Sequence, residues 1–434
     1  MFTPSGTTLT TKTTSYKVVL PFYGYAAFAF LIATVFLLLS VNDITEHYFQ
    51  PHTLAITHIM ALGWGTMLIL GASHQLVPVL IENKLYSNNL AYASFILAAV
   101  GIPLLVYGFY IFNMGWPAQW GGILILSAII AYLINLAVSM AKSRHENVHA
   151  VFVFTAAVWL LTTAIIGLML VYNFTFPLMK KSSLDYLPLH AHIGIVGWFL
   201  LLITGIGSRL IPMFLISKYN NTKILWWIYG LINGGLLLFI FSFLYAENKM
   251  LLIVPLLAVA AAIVLFGNFC YKSYQLRIRK KVDEQMKLSL LSVIMMALPL
   301  IFLVAIISLI IISPEENVSL VIAYGFIIFF GWITAIILAM TFKTLPFIVW
   351  NKVYHQLAGK GKTPNPKDLF NDVVFKWMAI AYISGFVLFT TGILAGYPLI
   401  LQLAAVLLLI TSLLYNWNVI KLLMHKPIVK PVGQ

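Results

Sequence analysis

Twelve apolar stretches, each long enough to cross a bilayer, leave this chain few folds to choose from. They run over about residues 17–42, 52–81, 88–113, 120–140, 149–173, 188–217, 222–245, 248–272, 286–312, 317–345, 372–395 and 397–420. Backbone in lipid must satisfy its own hydrogen bonds, so only helices and closed barrels can span. Apolar runs of this length predict helices of ~20 or more residues. Of the whole chain, 62% is hydrophobic and 9% is charged, which excludes an ordinary soluble domain. The first stretch is too long for the apolar part of a signal peptide and has no small-residue cleavage site, so it is expected to remain as a span.

The loops set the expected orientation. With the N-terminus inside, 23 of the 26 Lys and Arg residues fall on the cytoplasmic side, and only Lys180, Lys181 and Lys249 fall outside. Asp and Glu divide evenly, so the bias belongs to the cations, as the positive-inside rule requires. Both termini are then cytoplasmic, in what would be a bacterial inner membrane. The formal charge of +14 is thus a topology signal. Scattered over short loops, it does not form a nucleic-acid surface, and no nucleic-acid partner is expected. The densest cluster, Lys272, Arg277, Arg279, Lys280 and Lys281, could touch anionic lipid heads but serves equally as a connector. The largest loop, about 347–371, contains Gly359-Lys360-Gly361-Lys362 and reads as irregular. Cys270 stands alone, which excludes a disulfide framework and reads as a packing residue. No extramembrane segment is large enough for a soluble domain, so residues 1–434 are expected to form a single polytopic membrane domain.

One block of sequence recurs three times at a fixed interval. Gly63-Trp64, Gly197-Trp198 and Gly331-Trp332 lie 134 residues apart. Each pair is followed at matched distances by a polar residue (Gln75, Arg209, Lys343) and a proline (Pro78, Pro212, Pro346). Fixed-period similarity signals repeated structural units. Twelve spans over three copies gives four helices per unit, about 17–140, 149–272 and 286–420. The fold class expected is therefore all-α and integral to the membrane, with twelve transmembrane helices in three four-helix units related by a pseudo-threefold axis. In each block Gly would admit a close helix neighbour and Trp would fill the adjoining space. Gln75, Arg209 and Lys343 are expected to snorkel to the inner interface, and each proline to break or kink its helix.

Ionisable groups within a bilayer are the natural place to look for function. No Asp or Glu lies well inside a span, which argues against a carboxylate relay. His145, His149, His355 and His425 fall in or beside cytoplasmic loops and are expected to be solvated. His47 and His52 lie at the outer mouth. His74 is expected to be an interfacial residue near the inner surface. His58, His190 and His192 differ: all three lie one or two turns below the outer surface, where little else is polar. His58 and His192 occupy equivalent repeat positions, so they share a depth and could face one site between spans 2 and 6. His190 and His192, two positions apart, point about 200° apart around their helix. Imidazole ligates heme iron, copper and zinc. The third copy has Tyr324 and Phe326 in the places of His190 and His192.

Twelve spans in three four-helix units, with histidines near the outer ends of central spans, resemble subunit I of the heme-copper oxidases, a scaffold shared with NnrS-type membrane proteins. The resemblance covers the whole chain as architecture and few motifs. It implies that His58 sits where that family places the span-2 axial ligand of its low-spin heme, and that His192 sits on the span that carries a copper-ligand histidine. His190-Ala191-His192 is similar to the family's His-x-His, which there lies on span 10. Span 10 here has no histidine, span 7 lacks the adjacent His pair for copper, and span 6 lacks the His-Pro-Glu-type sequence and its Tyr. The loop around Gly396-Tyr397-Pro398 has no Arg pair for heme propionates.

The resemblance therefore implies a respiratory-type protein that binds heme, b-type, and performs electron transfer or diatomic-gas handling without oxygen-reducing proton pumping. His58 and His192 would be axial ligands or metal ligands, with His190 at a second heme or metal position. Lys180 and Lys181 would be near the propionates. Copper lacks a full ligand set, and whether the chain is an enzyme is left open. Expected partners are the lipid bilayer and other respiratory-chain subunits or a cytochrome. Two other readings stand beside this one: a permease for a metal ion or small solute, and a cofactor-free assembly or structural subunit.

Overall fold

The computed structural model describes residues 14–143, 147–246, 248–312, 317–356 and 363–427. His145 and the segment Gly359-Lys360-Gly361-Lys362 lie outside the described residues. Among those described, twelve helices are long and apolar enough to span a membrane: Tyr16–Leu39, Pro51–Leu80, Asn88–Tyr110, Trp116–Ala141, Val148–Tyr172, Ser183–Leu215, Thr222–Tyr245, Lys249–Gln275, Glu284–Ile312, Val318–Tyr354, Asp372–Ala395 and Pro398–Leu423. These are spans 1 to 12. The fold is all-α and of the membrane type, and each helix falls on one of the apolar stretches read from the sequence.

Spans 2, 6 and 10 form the centre. Between 61 and 78% of their apolar windows is buried, against at most 50% for any other span. These are the spans that carry the repeated block, and in all three the helix is underwound at the same place. The π-helical turns cover Ile59–Thr66, Ile193–Leu200 and Ile327–Ile333, again 134 residues from copy to copy. A π turn inserts one residue and releases backbone carbonyls, and such turns recur at functional sites. In span 10 the break goes furthest, with Gly331 at φ −90° and ψ −114°. Tyr382 donates its hydroxyl to the carbonyls of Phe330 and Gly331 (3.0 and 2.7 Å), and Ser292 to that of Trp332 (2.8 Å). The released carbonyls are thereby satisfied inside the bundle.

The repeated tryptophans are buried and link neighbouring copies. Trp198 Nε1 donates to Thr66 Oγ1 (3.0 Å), and Trp64 Nε1 donates to Thr334 Oγ1 (3.1 Å). Thr66 and Thr334 are equivalent positions, so the bonds pass from copy to copy around the centre. The position that would close the ring is Leu200, which has no hydroxyl. The glycine beside each tryptophan serves close approach: a Cβ at Gly197 would lie 2.7 Å from Trp159, and one at Gly63 2.9 Å from Ala29.

Several interfacial expectations are corrected. Lys343 is buried and paired with Asp283, which also holds Arg279 at 3.2 Å. A cation in this environment is kept by its partner rather than by reaching water. His74 is only 1% exposed; it packs between the rings of Phe22 and Tyr132. His149 is turned inward, its Nδ1 2.9 Å from the Gly205 carbonyl and 3.1 Å from Ser208 Oγ. The prolines also behave unequally. Spans 2 and 6 end within three residues of Pro78 and Pro212, whereas span 10 continues past Pro346 to Tyr354. Cys270 is a buried packing residue, as read from the sequence.

Candidate functional site

His58, His190 and His192 all line one cavity of about 660 Å³ near the ends at which spans 2, 6 and 10 begin. That volume is in the range of small-molecule and cofactor sites. Its walls are mostly aliphatic and aromatic, and among the described residues no Asp, Glu, Lys or Arg lines it. Few polar groups other than the three imidazoles, Tyr324 and several threonines face the space, so these define what can be held there.

Each imidazole is fixed in the same way. Nδ1 of His58 meets the Leu54 carbonyl at 2.8 Å, Nδ1 of His192 meets that of Pro188 at 2.8 Å, and Nδ1 of His190 meets that of Thr163 at 3.2 Å. A carbonyl only accepts, so each Nδ1 carries the proton and each Nε2 keeps its lone pair. For His58 and His192 the accepting carbonyl lies four residues earlier, one turn back on the same helix face. The His190 ring is also pressed against span 5: a Cβ at Gly167 would lie 2.8 Å from its Cε1. Only glycine at 167 leaves room for the ring in its present position.

The rings meet in pairs that differ from the pairing read from the sequence. His58 faces His190, with ring centres 6.4 Å apart and planes inclined by 16°. Phe109 closes the other side of His58 at 4.6 Å. His192 faces Tyr324 of span 10: the rings are 6.0 Å apart at 24°, and the Tyr324 hydroxyl is 3.2 Å from Nε2. Since Nε2 of His192 holds the lone pair, Tyr324 donates. Phe239 of span 7 packs on the same imidazole at 5.1 Å.

The separation in sequence is 132 residues in both pairs. This is what a rotation requires. Residues related by a threefold axis point in corresponding directions and do not face each other, so a side chain at the His58 position reaches the position two residues earlier in the next copy. His58 thus finds His190, and His192 finds Tyr324. The same rule applied to the third junction would pair Phe326 with Ile56, both apolar. Tyr324 was passed over in the sequence as a lost histidine, and the 132-residue interval was the available signal for its partnership with His192.

The remaining candidates lie elsewhere. Lys180 and Lys181 are exposed in the loop before span 6 and do not line the cavity. His52 pairs with Asp43 at 2.6 Å, and His47 stacks on Tyr48. Among the described residues, no group of three His, Cys, Asp or Glu side chains is arranged to hold a metal ion; the site offers one pair of imidazoles, His58 and His190, and one imidazole paired with a tyrosine.

No protein-family model and no curated protein sequence matches the chain. Solved structures do match: a heme-copper terminal oxidase, determined as a dimer by cryo-electron microscopy, aligns with a TM-score of 0.64 over 93% of this chain and 85% of that one, at 10% identity. Identity that low carries the backbone and not the side-chain chemistry. With its twelve spans and three central helices, the chain has the fold of heme-copper oxidase subunit I.

Proposed function

We propose that this protein binds heme between spans 2 and 6, with His58 and His190 as the axial pair, and acts in electron transfer or diatomic-gas handling without oxygen-reducing proton pumping. The observation that carries the reading is the spacing of the two rings. An imidazole nitrogen bonds a metal at about 2.0–2.1 Å and lies about 1.1 Å from its ring centre, so two opposed ligands of one iron put their ring centres roughly 6.3 Å apart. The two rings are 6.4 Å apart and nearly parallel. Each has its proton on Nδ1, so both could offer Nε2 without any change of tautomer.

The surroundings support the same reading. The described walls of the cavity are mostly apolar, which suits a macrocycle and excludes water from its faces. When bound, heme would supply the one-electron chemistry; b-type is the simplest choice. The protein would hold both axial imidazoles through backbone carbonyls and clamp one of them against Gly167. His192 and Tyr324 form the polar group beside this pair, with Tyr324 donating to Nε2. They are placed to hold or give a proton to a small ligand on that side of the cavity. Copper is not part of the proposal, because His192 has no second imidazole beside it.

The test is heme analysis and absorption spectroscopy on protein expressed with ample heme supply. A Soret band should be present, and His58→Ala and His190→Ala should each abolish or shift it. His355→Ala, far from the cavity, should leave it unchanged. A folded, colourless protein lacking heme would sink the proposal.

A further inference from the structure

The end of the bundle opposite the histidines carries a second feature, formed by the loop between spans 6 and 7 and the loop between spans 8 and 9. The two are tied together: Ser217 and Arg277 form an antiparallel bridge, and the Ile278 amide donates to the Ile216 carbonyl at 3.0 Å. Six cations sit on these loops or on the helix ends beside them: Lys218, Lys223, Lys272, Arg277, Lys280 and Lys281. None of the six has an acidic partner among the described residues, and neither 216–223 nor 272–282 contains Asp or Glu. The next carboxylate along the chain, Asp283, is already shared by Arg279 and Lys343.

Two buried donors in the same pair of loops lack an acceptor among the described residues. They are Nε of Arg277 and the hydroxyl of Tyr219. The rest of each side chain is held in place. Arg277 lies over the Tyr274 ring, 3.8 Å from its centre, and donates through NH1 to the Tyr274 carbonyl at 2.6 Å. Tyr219 packs on Phe269 at 5.2 Å. Buried donors without acceptors are costly, and fixed donors amid uncompensated positive charge call for an anion with several acceptor oxygens. Apolar side chains project from the same loops: Ile216, Leu276 and Ile278 are each more than half exposed, beside the exposed rings of Tyr271 and Trp227. Exposed apolar and aromatic groups next to cations characterise the membrane–water boundary.

We propose that the paired 6–7 and 8–9 loops bind the phosphate of an anionic phospholipid, with Arg277 and Tyr219 as its direct donors and the surrounding lysines supplying the field. The apolar rim selects lipid over free phosphate, because it would meet the acyl chains of the bound molecule. The assignment is independent of heme binding and can fail or stand without it.

The test uses the full chain extracted from liposomes of equal parts phosphatidylcholine and phosphatidylglycerol, with retained lipid read by native mass spectrometry. Phosphatidylglycerol should be retained over phosphatidylcholine. Arg277→Gln and Tyr219→Phe should each lower that retention about tenfold, the effect of losing one charge-assisted or buried hydrogen bond. Arg277→Lys should restore part of it, and added inorganic phosphate should not compete. If Arg277→Gln does not fold, the double variant Lys280→Gln/Lys281→Gln, altered only at exposed positions, should still reduce retention severalfold. Equal retention of both lipids, full retention in the folded variants, or displacement by inorganic phosphate would each overturn the proposal.

Discussion

Gly167→Ala should separate stability from ligation more cleanly than removing a histidine does. Inside span 5, replacing Gly by Ala favours the helix by about 0.8–1.0 kcal/mol, so on local grounds alone the variant would be the more stable protein. The added methyl, however, would stand 2.8 Å from Cε1, 3.3 Å from Nδ1 and 3.6 Å from Nε2 of His190. The first contact is about 0.7 Å short of the ~3.5 Å at which carbon atoms pack. The imidazole must retreat by about that much, and a ligating group works only if held within about 0.5 Å of its place. Its hydrogen bond to the Thr163 carbonyl, at 3.2 Å, has little length to spare. The expected result is a folded protein, since the helix gain offsets part of the about 1–3 kcal/mol that crowding costs, but one whose low-spin heme spectrum is weakened or lost. Gly230→Ala is the control, since a Cβ there meets nothing within 4 Å; it should keep the spectrum. A Gly167→Ala protein with an unaltered heme spectrum would refute the reasoning that His190 is a positioned ligand.

Three other outcomes follow from the geometry. Tyr324→His gives His192 an imidazole at the position that serves His58, so heme or metal content per chain should rise; unchanged content and spectrum would count against the rotational pairing rule. Thr66→Val should destabilise the protein by about 1–3 kcal/mol, because it leaves the buried Trp198 Nε1 without its acceptor, and a thermal midpoint within error of wild type would contradict that. At the other end of the chain, Tyr354 and His425 Nε2 are 2.9 Å apart, and partial burial with Lys421 nearby lowers the His425 pKa below its ordinary value. A histidine whose folded pKa is depressed contributes stability that is present above the unfolded value and lost as pH falls through the folded one. The stability difference between wild type and His425→Ala should therefore shrink as pH is lowered from neutrality through about 6.5 and below, and a difference that grew on acidification would be inconsistent with this.

The fold was legible because its signals are long and redundant. Each span is a run of apolar residues that needs no tertiary context, and the 134-residue interval from Trp64 to Trp198 to Trp332 set three helices in corresponding positions. The site was legible only in part. His58, His190 and His192 stood out as imidazoles in apolar helices, and all three line the cavity. Equal depth was visible for His58 and His192, but facing was not, since side chains related by rotation turn past each other rather than together. The π turns at Ile59–Thr66 and Ile193–Leu200 could not be foreseen either, because periodicity assumes a constant 100° per residue. Lys343 and His74 were misplaced for a related reason. Their positions near span ends suggested water, yet their neighbours, Asp283 for one and Phe22 and Tyr132 for the other, come from elements distant in sequence.

The proposed function puts one iron between His58 and His190. Electron paramagnetic resonance of the oxidised, heme-loaded protein tests it most directly. The wild type should give a low-spin ferric signal from two imidazole ligands, absent in both His58→Ala and His190→Ala and kept in His192→Ala. A signal that survives His190→Ala, or that disappears only with His192, would contradict it.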